Sequence, residues 1–564
     1  MSDAAAAVRE LPAWPSRRMF GLALLLGIGS AVFLLSQGLQ PSDDAYITFR
    51  HARNLALHGW PAWNLTGPPV LGSTSPAWLL VLGLLGAVIG PEQIEPIALA
   101  TNACLSTGIV VLAFLIALDL IGRPWPALLA AALVGFNGVD VYVFSLGFEA
   151  ALLVAVVLGC LYALRRDRAL ASLILASLAP LVRPEGLLLA PIVWGVLLRR
   201  GRLTRRGVAA FALLPLAWLI FSSAFYGSPV PHSIVAKQNF PRIYRPYADT
   251  SVDLVDRLPA IPAATARMWE RRAQPVLFQG RLNPGDWSLR DRAHWWLALL
   301  GLVALGPTLL RAGDRYVYAL YPIGFLLLHG WLGTLAIWYL PSFVSLATLL
   351  LYAGAACLVV RAARLFRLGP VAGGALMLGA CALFATANQY TWRSDGAEAN
   401  RGLLAARDPR GETWEAWERE RYTGYRAAAL QLNERGAGAT ALISEVGVFG
   451  YFYHGPVLDA VGLCSPEALP FYPPPRSDLL DAQGQPFTTA NNIVPTRMVE
   501  ELAPDYVVNS LTYLEHLVRP GTSFSRDYAR IADVGRAWDR PIAVYGRRPS
   551  AYSLDSSDTS DTKR

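Results

Sequence analysis

The chain has 564 residues, 54% of them hydrophobic and only 16% charged, with a mean hydropathy of +0.36. A soluble chain carries about a quarter charged residues, so a soluble globular enzyme is excluded, and the apolar residues fall into repeated runs long enough to cross roughly 30 Å of hydrocarbon. The net charge of +8 does not mark a nucleic-acid binder, because the basic residues sit in short clusters between apolar runs and not on one basic domain.

The first apolar run, 19–38, follows Arg17 and Arg18 and has no small-residue cleavage site after it, so it reads as a retained span. A loop of roughly sixty residues, 39–97, follows and contains PSDDAYITFRHARNLALHGWPAWN. Asp43 and Asp44 are adjacent carboxylates just past the first span, and Tyr46, Arg50 and Asn54 follow at helical spacing on one face. The pair suits a helix start capped by Ser42, Asp43 or Asp44. A carboxylate at the membrane surface, with Trp60, Trp63 and Trp78 nearby in the chain, is equally placed to deprotonate an acceptor hydroxyl or to bind a divalent ion. The apolar run from Trp78 to Gly90 is short for a span and suits an interfacial or re-entrant segment.

Further spans are expected near 98–121, 125–144, 148–164, 169–183, 187–198, 207–226, 294–310, 315–331, 341–360 and 370–387. Glu149 lies in SLGFEAALL at a span start, where a helix dipole favours an acid. Arg183 and Glu185 lie in LVRPEGLLL, with Pro184 and Gly186 marking a break between two spans; a local ion pair is the plainer account. Lys237, in GSPVPHSIVAKQNF, is one of two lysines in a chain with 49 Lys plus Arg, the other being Lys563. A chain that uses arginine almost everywhere and keeps one internal lysine points to a site that needs an ammonium point charge, such as a phosphate. His232, five residues earlier, is a loop residue or a second phosphate donor.

Basic clusters at Arg17/Arg18, Arg123, Arg165–Arg168, Arg199–Arg206, Arg311/Arg315 and Arg361–Arg367 fall on one side only if 78–90 does not cross. The expectation is therefore an α-helical polytopic membrane protein with about eleven spans, its N-terminus cytoplasmic, outer loops 39–97 and 227–293, and an extracytoplasmic C-terminal domain. Residues 1–387 form the expected membrane domain and 388–564 a small α/β domain. In the latter, 411–436 reads as an amphipathic helix ending at Gly436, and 439–446, 505–508 and 541–545 read as strands before a disordered polar tail. Of the five cysteines, only Cys464 lies in a polar region, so no disulfide framework is visible. No cytoplasmic segment is long enough to hold a nucleotide, and neither a phosphate-binding glycine loop nor metal-ligand spacing appears.

A carboxylate base, a cationic phosphate clamp and a site at the bilayer surface suit a lipid-linked phosphosugar donor and a hydroxyl acceptor. At these residues the chain resembles the GT-C superfamily of membrane glycosyltransferases that use polyprenyl-phosphate sugars, and within it the terminal β-(1→2)-arabinofuranosyltransferases and their bacterial relatives. DDAYITFRHARNLALHGWPAWN followed by GSTSPAWLL looks like their first-loop pattern, Trp63 and Asn64 included. SLGFEAALL is similar to their Gly-Met-Glu-Thr segment, with Phe148 for Met and Ala150 for Thr, and LVRPEGLLLA matches their Arg-Pro-Glu-Gly segment. SPVPHSIVAK is similar to their Pro-Asn-Thr…Ala-Lys segment, with His232 for Asn and Ser233 for Thr. SEVGVFGYFYHGPVLDAVGLCSPE resembles the signature of their exposed domain, with Gly450, Tyr451, Asp459 and Gly462.

These motifs in order are specific for the superfamily and not for the sugar. The resemblance implies inverting transfer of a sugar, arabinofuranose by the nearest pattern, to a cell-envelope glycan at the outer face of a bacterial plasma membrane. It implies Asp43 as base, Asp44 assisting, and Lys237 on the donor phosphate. Tyr46, Arg50, Asn54, Trp63, Asn64, Glu149, Arg183, Glu185 and His232 are the expected donor and acceptor contacts. The rival readings are a transporter or flippase of lipid-linked sugars, against which stand the lack of an internal repeat and the placement of ionisable residues at span ends, and a glycan-binding scaffold, which has no need of so many spans.

Overall fold

The computed structural model describes residues 14–238, 259, 261–269, 289–311, 314–332, 337–369, 371–380, 382, 414–436, 438–480, 493–537 and 540–549. Much of the expected loop 227–293, part of the expected span 370–387, the stretch 388–413 and the polar tail lie outside the described residues.

In chain order the helices are α1 (Arg17–Ser36), α2 (Asp43–His58), α3 (Pro76–Ile89), α4 (Ile94–Ile121), α5 (Pro124–Gly135), α6 (Gly138–Ser145), α7 (Ala150–Arg165), α8 (Ala169–Val182), α9 (Leu189–Arg199), α10 (Arg205–Tyr226), α11 (His232–Gln238), α12 (Ile261–Met268), α13 (Leu289–Arg311), α14 (Val317–Leu332), α15 (Pro341–Leu365) and α16 (Val371–Ala380). Four of them, α1, α10, α15 and the stretch Pro91–Ile121 that contains α4, are long and apolar enough to cross a membrane. The pair α5–α6 makes a fifth if it is one bent span. The expected single helix 125–144 is thus broken, with a bend of 45°. Asn137 causes the break: its side chain accepts from the amides of Val139 (3.0 Å) and Asp140 (3.4 Å), which ends one helix and caps the next. Helix α3 has 14 residues, too few at 1.5 Å each to cross the hydrocarbon core.

By internal contacts the chain divides into two compact units. The first comprises Met1–Ala45, Thr74–Ala224 and Ser251–Arg407, and the second Tyr46–Ser73, Phe225–Thr250 and Asp408–Arg564.

In the first unit, α15 is buried along its apolar length up to its last turns, whereas α10 exposes Leu213, Leu216 and Ile220 and α1 exposes Leu25 and Val32, as helices facing lipid do. Small residues let the helices approach closely. A side chain on Gly27 of α1 would strike the backbone of Thr107 on α4, and one on Gly301 of α13 would strike the backbone of α15 at Gly354–Ala355. Ser30 binds across α1, α4 and α5, to the Ser106 hydroxyl at 2.8 Å and the Gly135 carbonyl at 2.5 Å.

One end of this helical unit is held by ion pairs on buried and half-buried carboxylates. Arg165 meets Asp119 at 3.0 Å, Arg315 meets the same carboxylate at 3.4 Å, and Arg200 donates to Asp314 at 2.7 Å. Arg199 also pairs with Asp314, and Asp167 takes Arg200 and Arg202. Arg166 lies over Trp14 just before α1. Basic clusters far apart in sequence therefore share one end of the bundle.

The second unit holds helices α17 (Trp414–Arg435), α18 (Val446–Phe452) and α19 (Thr496–Leu502), with strands β1 (Ala441–Ile443), β2 (Val457–Asp459), β3 (Tyr506–Ser510), β4 (Tyr528–Ala537) and β5 (Arg540–Arg547). The sheet order is β2-β1-β3-β5-β4, with β1 parallel to both β2 and β3, and β5 antiparallel to β3 and β4. Its core joins Leu442, Val507, Ala543, Met498, Leu514 and Phe524. The expected helix and the strands at 505–508 and 541–545 are present, the strand expected over 439–446 is confined to Ala441–Ile443 because Val446 already starts α18, and β2 and β4 are additional.

Candidate active site

In the first unit, α2 opens on Asp43 and Asp44, where the dipole favours negative charge. Asp43 is buried, with 4% of its surface exposed, and Asp44 is exposed. The residue before them is pinned: the Ser42 amide donates to the Leu146 carbonyl at 3.1 Å. That carbonyl opens the turn 146–149, where Gly147 has φ +82°, a left-handed conformation that suits glycine. Trp78 Nε1 donates to the Gly147 carbonyl at 3.2 Å, and Asn102 Nδ2 donates to the carbonyls of Phe144 and Phe148, both at 2.9 Å.

The turn delivers Glu149 to the start of α7. Its carboxylate accepts from Arg183, which reaches Glu185 through Nε at 2.5 Å and lies 4.4 Å from the centre of the Tyr339 ring. Glu149, Arg183 and Glu185 are each about as buried as Asp43, at 6%, 4% and 4% exposure. Two buried carboxylates thus share one guanidinium, which supplies the partner that a buried acid requires. The local pair Arg183–Glu185 exists, and Glu149 joins it from another helix. Trp338 lies beside Phe148, with ring centroids 5.7 Å apart. Among the described residues no group of three or more His, Cys, Asp and Glu side chains is placed to hold a metal ion.

In the second unit, the helical spacing of Tyr46, Arg50 and Asn54 does put all three inside. Arg50 is enclosed by acceptors. Nε donates to the Trp63 carbonyl at 2.7 Å, Nη1 to the carbonyls of Gly450 and of Tyr453 (3.0 Å), and Nη2 to Asn64 Oδ1 and the Gly455 carbonyl, both at 3.1 Å. A guanidinium has five N–H donors, and each has a partner here. Asn54 holds the carbonyls of Ala62 and Trp63.

Asn64 binds Val457 twice, accepting from its amide and donating to its carbonyl at 3.0 Å each, while Trp63 Nε1 donates to the same carbonyl at 3.1 Å. A side chain on Gly450 would overlap the Trp63 ring at 2.6 Å, and one on Gly72 would overlap Cys464 Sγ. Tyr46 packs among Phe49, Tyr451 and Tyr422, with centroids 5.0–5.9 Å away. The first-loop motif and the C-terminal signature are thus one packed structure, in which Asp459 accepts the amides of Val461 and Cys464.

His232 and Lys237 lie on α11, whose start is tied to the first-loop segment by the His232 amide on the Leu71 carbonyl at 2.9 Å. Ser233 and Ala236 are the buried side of this helix. Lys237 is exposed and forms no ion pair among the described residues.

Sequence reasoning missed several partners. His51 is fully buried, with Nδ1 on the Ile47 carbonyl at 2.8 Å and Nε2 receiving the Gly72 amide at 3.2 Å; burial pulls its pKa down to about 4. Glu445 accepts from Arg421 (3.0 Å) and Tyr425 (2.8 Å). Asp140, on α6, accepts from Ser345 at 2.6 Å. Asn102, Asp119 and Asp140 had a visible signal, since polar residues within apolar runs are costly and need a reason to be there.

Comparison with known proteins gives the following. A family described as a domain of unknown function (DUF8728) matches residues 414–553. A terminal β-(1→2)-arabinofuranosyltransferase of Mycobacterium tuberculosis is 34% identical over 218 residues, a stretch that covers 35% of this chain and 34% of that protein's length. Among solved structures, ArnT from Cupriavidus metallidurans bound to undecaprenyl phosphate superposes with a TM-score of 0.50 at 14% identity, covering 93% of this chain and 97% of that one. The archaeal oligosaccharyltransferase AglB from Archaeoglobus fulgidus, in complex with an inhibitory peptide and a dolichol-phosphate, gives 0.51 at 12% identity, covering 97% and 76%. At such identities the likeness concerns the fold. The chain therefore shares the helical fold of these two structures, and over about a third of its length it is similar in sequence to a terminal arabinofuranosyltransferase.

Proposed function

We propose that the protein is an inverting GT-C glycosyltransferase that moves a sugar from a polyprenyl-phosphate donor to a glycan hydroxyl at the outer face of the bacterial plasma membrane. The observation that carries this reading is the buried Asp43, fixed at the start of α2 by the Ser42–Leu146 hydrogen bond. A base must be positioned before its pKa matters, and the residue before this acid is anchored through its amide to the Leu146 carbonyl and through its carbonyl to the Ala45 amide. The sequence similarity to an arabinofuranosyltransferase and the fold shared with two lipid-phosphate complexes support the donor class.

In the proposed reaction the acceptor hydroxyl gives its proton to Asp43 as its oxygen bonds the anomeric carbon. The bond from that carbon to the phosphate oxygen breaks, and the polyprenyl phosphate departs with the electron pair. Lys237 neutralises the leaving phosphate, Asp44 supports the base, and the Glu149–Arg183–Glu185 cluster orients sugar hydroxyls. Arg50, Asn54, Trp63 and Asn64 hold the first-loop segment in shape. The proposed topology has about eleven spans, with the N-terminus inside and residues 388–564 outside.

The test is transfer of labelled sugar from a panel of polyprenyl-phosphate sugars, arabinofuranose first, by purified protein in lipid beside Asp43→Asn and Lys237→Ala. Transfer by wild type, abolished in Asp43→Asn with donor binding retained, and weakened donor binding in Lys237→Ala are expected. Full activity in Asp43→Asn removes the base. Folded protein that is inert with every donor returns weight to the transporter reading.

A further inference from the structure

A cavity lies in the helical unit, at the end of the bundle that carries the basic clusters. It measures about 1010 Å³ between the α4–α5 turn, the C-terminal part of α15 and helix α16, at the upper end of the roughly 300–1,000 Å³ typical of small-molecule sites. Its walls are apolar, with Trp125, Leu129, Val360 and Met377, and its polar rim includes Arg123, Arg364 and Arg367.

These three are the arginines that line the cavity, and they differ from five others at the same end. Arg165, Arg199, Arg200, Arg202 and Arg315 are matched to Asp119, Asp167 and Asp314. Among the described residues, Arg123, Arg364 and Arg367 have no carboxylate partner. An apolar cleft rimmed by unmatched guanidinium groups is complementary to one kind of molecule, a phosphate headgroup carrying long apolar chains. Trp125, 58% exposed beside Arg123, is the aromatic type that anchors at the headgroup level.

We propose that this cavity is a binding site for an anionic diacyl phospholipid of the leaflet opposite the catalytic face, with its phosphate on Arg123, Arg364 and Arg367 and an acyl chain along the Trp125–Met377 wall. The site is independent of the reaction assigned above.

The experiment is native mass spectrometry of the full chain released from nanodiscs of phosphatidylglycerol, of phosphatidylcholine, or of phosphatidylcholine doped with undecaprenyl phosphate. One retained phosphatidylglycerol is expected, absent from phosphatidylcholine discs and not displaced by millimolar inorganic phosphate. In the triple variant Arg123→Gln, Arg364→Gln, Arg367→Gln its retention falls on the order of a hundredfold, each arginine at the headgroup being worth roughly a factor of five. Gly374, in the cavity wall with open space beside it, supplies a second variant that leaves the charges alone: Gly374→Leu fills the cleft and also displaces the lipid. Equal retention by wild type and both variants, equal retention of phosphatidylcholine, or preference for undecaprenyl phosphate overturns the proposal.

Discussion

Arg50 and His51 are neighbours on α2 that act as interior fasteners, each through hydrogen-bond arithmetic. Arg50 saturates five donors on four carbonyls and one amide oxygen, and burial lowers its pKa to about 9. Lysine has three donors and no planar fork, so Arg50→Lys leaves buried carbonyls unmatched. Thermal unfolding of the full-length protein should report a loss of about 2–4 kcal/mol, built from a few unmade bonds of roughly 1–3 kcal/mol each.

His51 makes a pH-dependent contribution whose sign is fixed by its lowered pKa, about 4 against an ordinary 6.5. Between these values the unfolded chain binds a proton that the folded chain does not. Stability from this group therefore rises with pH from about 4 to 6.5 and is level above. Asp459 opposes it, since burial raises its pKa from 3.8 to about 6 and its contribution falls as pH rises through that window. The whole-protein curve thus conceals His51, and the comparison to make is with His51→Gln, which keeps one donor and one acceptor. The stability difference between wild type and variant should rise with pH across that window by up to about 1.4 kcal/mol per pH unit. A pH-independent difference would show that His51 does not titrate as proposed.

At the scale of elements, the break between α8 and α9 shows what a short motif can encode. Pro184 forbids a continuing helix, and Gly186 is required because a side chain there would strike the Ala179 backbone. The sharp turn leaves Arg183 and Glu185 buried and able to meet Glu149. Arg183→Ala strands two buried carboxylates and should destabilise by about 3–5 kcal/mol, the usual cost of removing one partner of a buried ion pair. Glu185→Gln, which leaves Arg183 paired with Glu149, should cost less in the same thermal-unfolding series.

Much of this was legible in the sequence: apolar runs announced the helices, Pro-Glu-Gly announced the break, and the acids at helix starts stood out. Other features were hidden for physical reasons. The bend between α5 and α6 depends on one asparagine inside an apolar run. Strand β4 carries Arg530, Asp533 and Arg536, so its hydrophobic alternation is masked, and β2 has only three residues. The tether that positions Asp43 joins the backbones of Ser42 and Leu146, which leaves no mark on residue type. The five-fold grip on Arg50 likewise comes mostly from carbonyls, which every residue has.

At the scale of the whole molecule, charge decides orientation. Asp119, Asp167 and Asp314 gather arginines from three separate stretches of chain at one end of the helical unit, so the positive clusters are a property of the folded bundle as well as of the loops. Basic residues flanking spans stay on the cytoplasmic side, and this end should face inward. Two exposed arginines report on it: Arg206, beside the basic loop before α10, and Arg497, on α19 of the sheet-containing unit, where its surface pair with Glu501 is worth little. The proposed spans place an odd number of crossings between them. With the exposed Cys104 replaced by serine, Arg497→Cys should react with a membrane-impermeant maleimide on cells whose plasma membrane is intact and reachable. Arg206→Cys should react only after that membrane is permeabilised. The opposite pattern would mean either that the protein is turned over, which moves the proposed chemistry to the cytoplasm, or that α3 crosses the membrane. Labelling of both from outside would mean an even number of crossings between them, in which case one of the helices after Arg206 has been assigned wrongly in the span count.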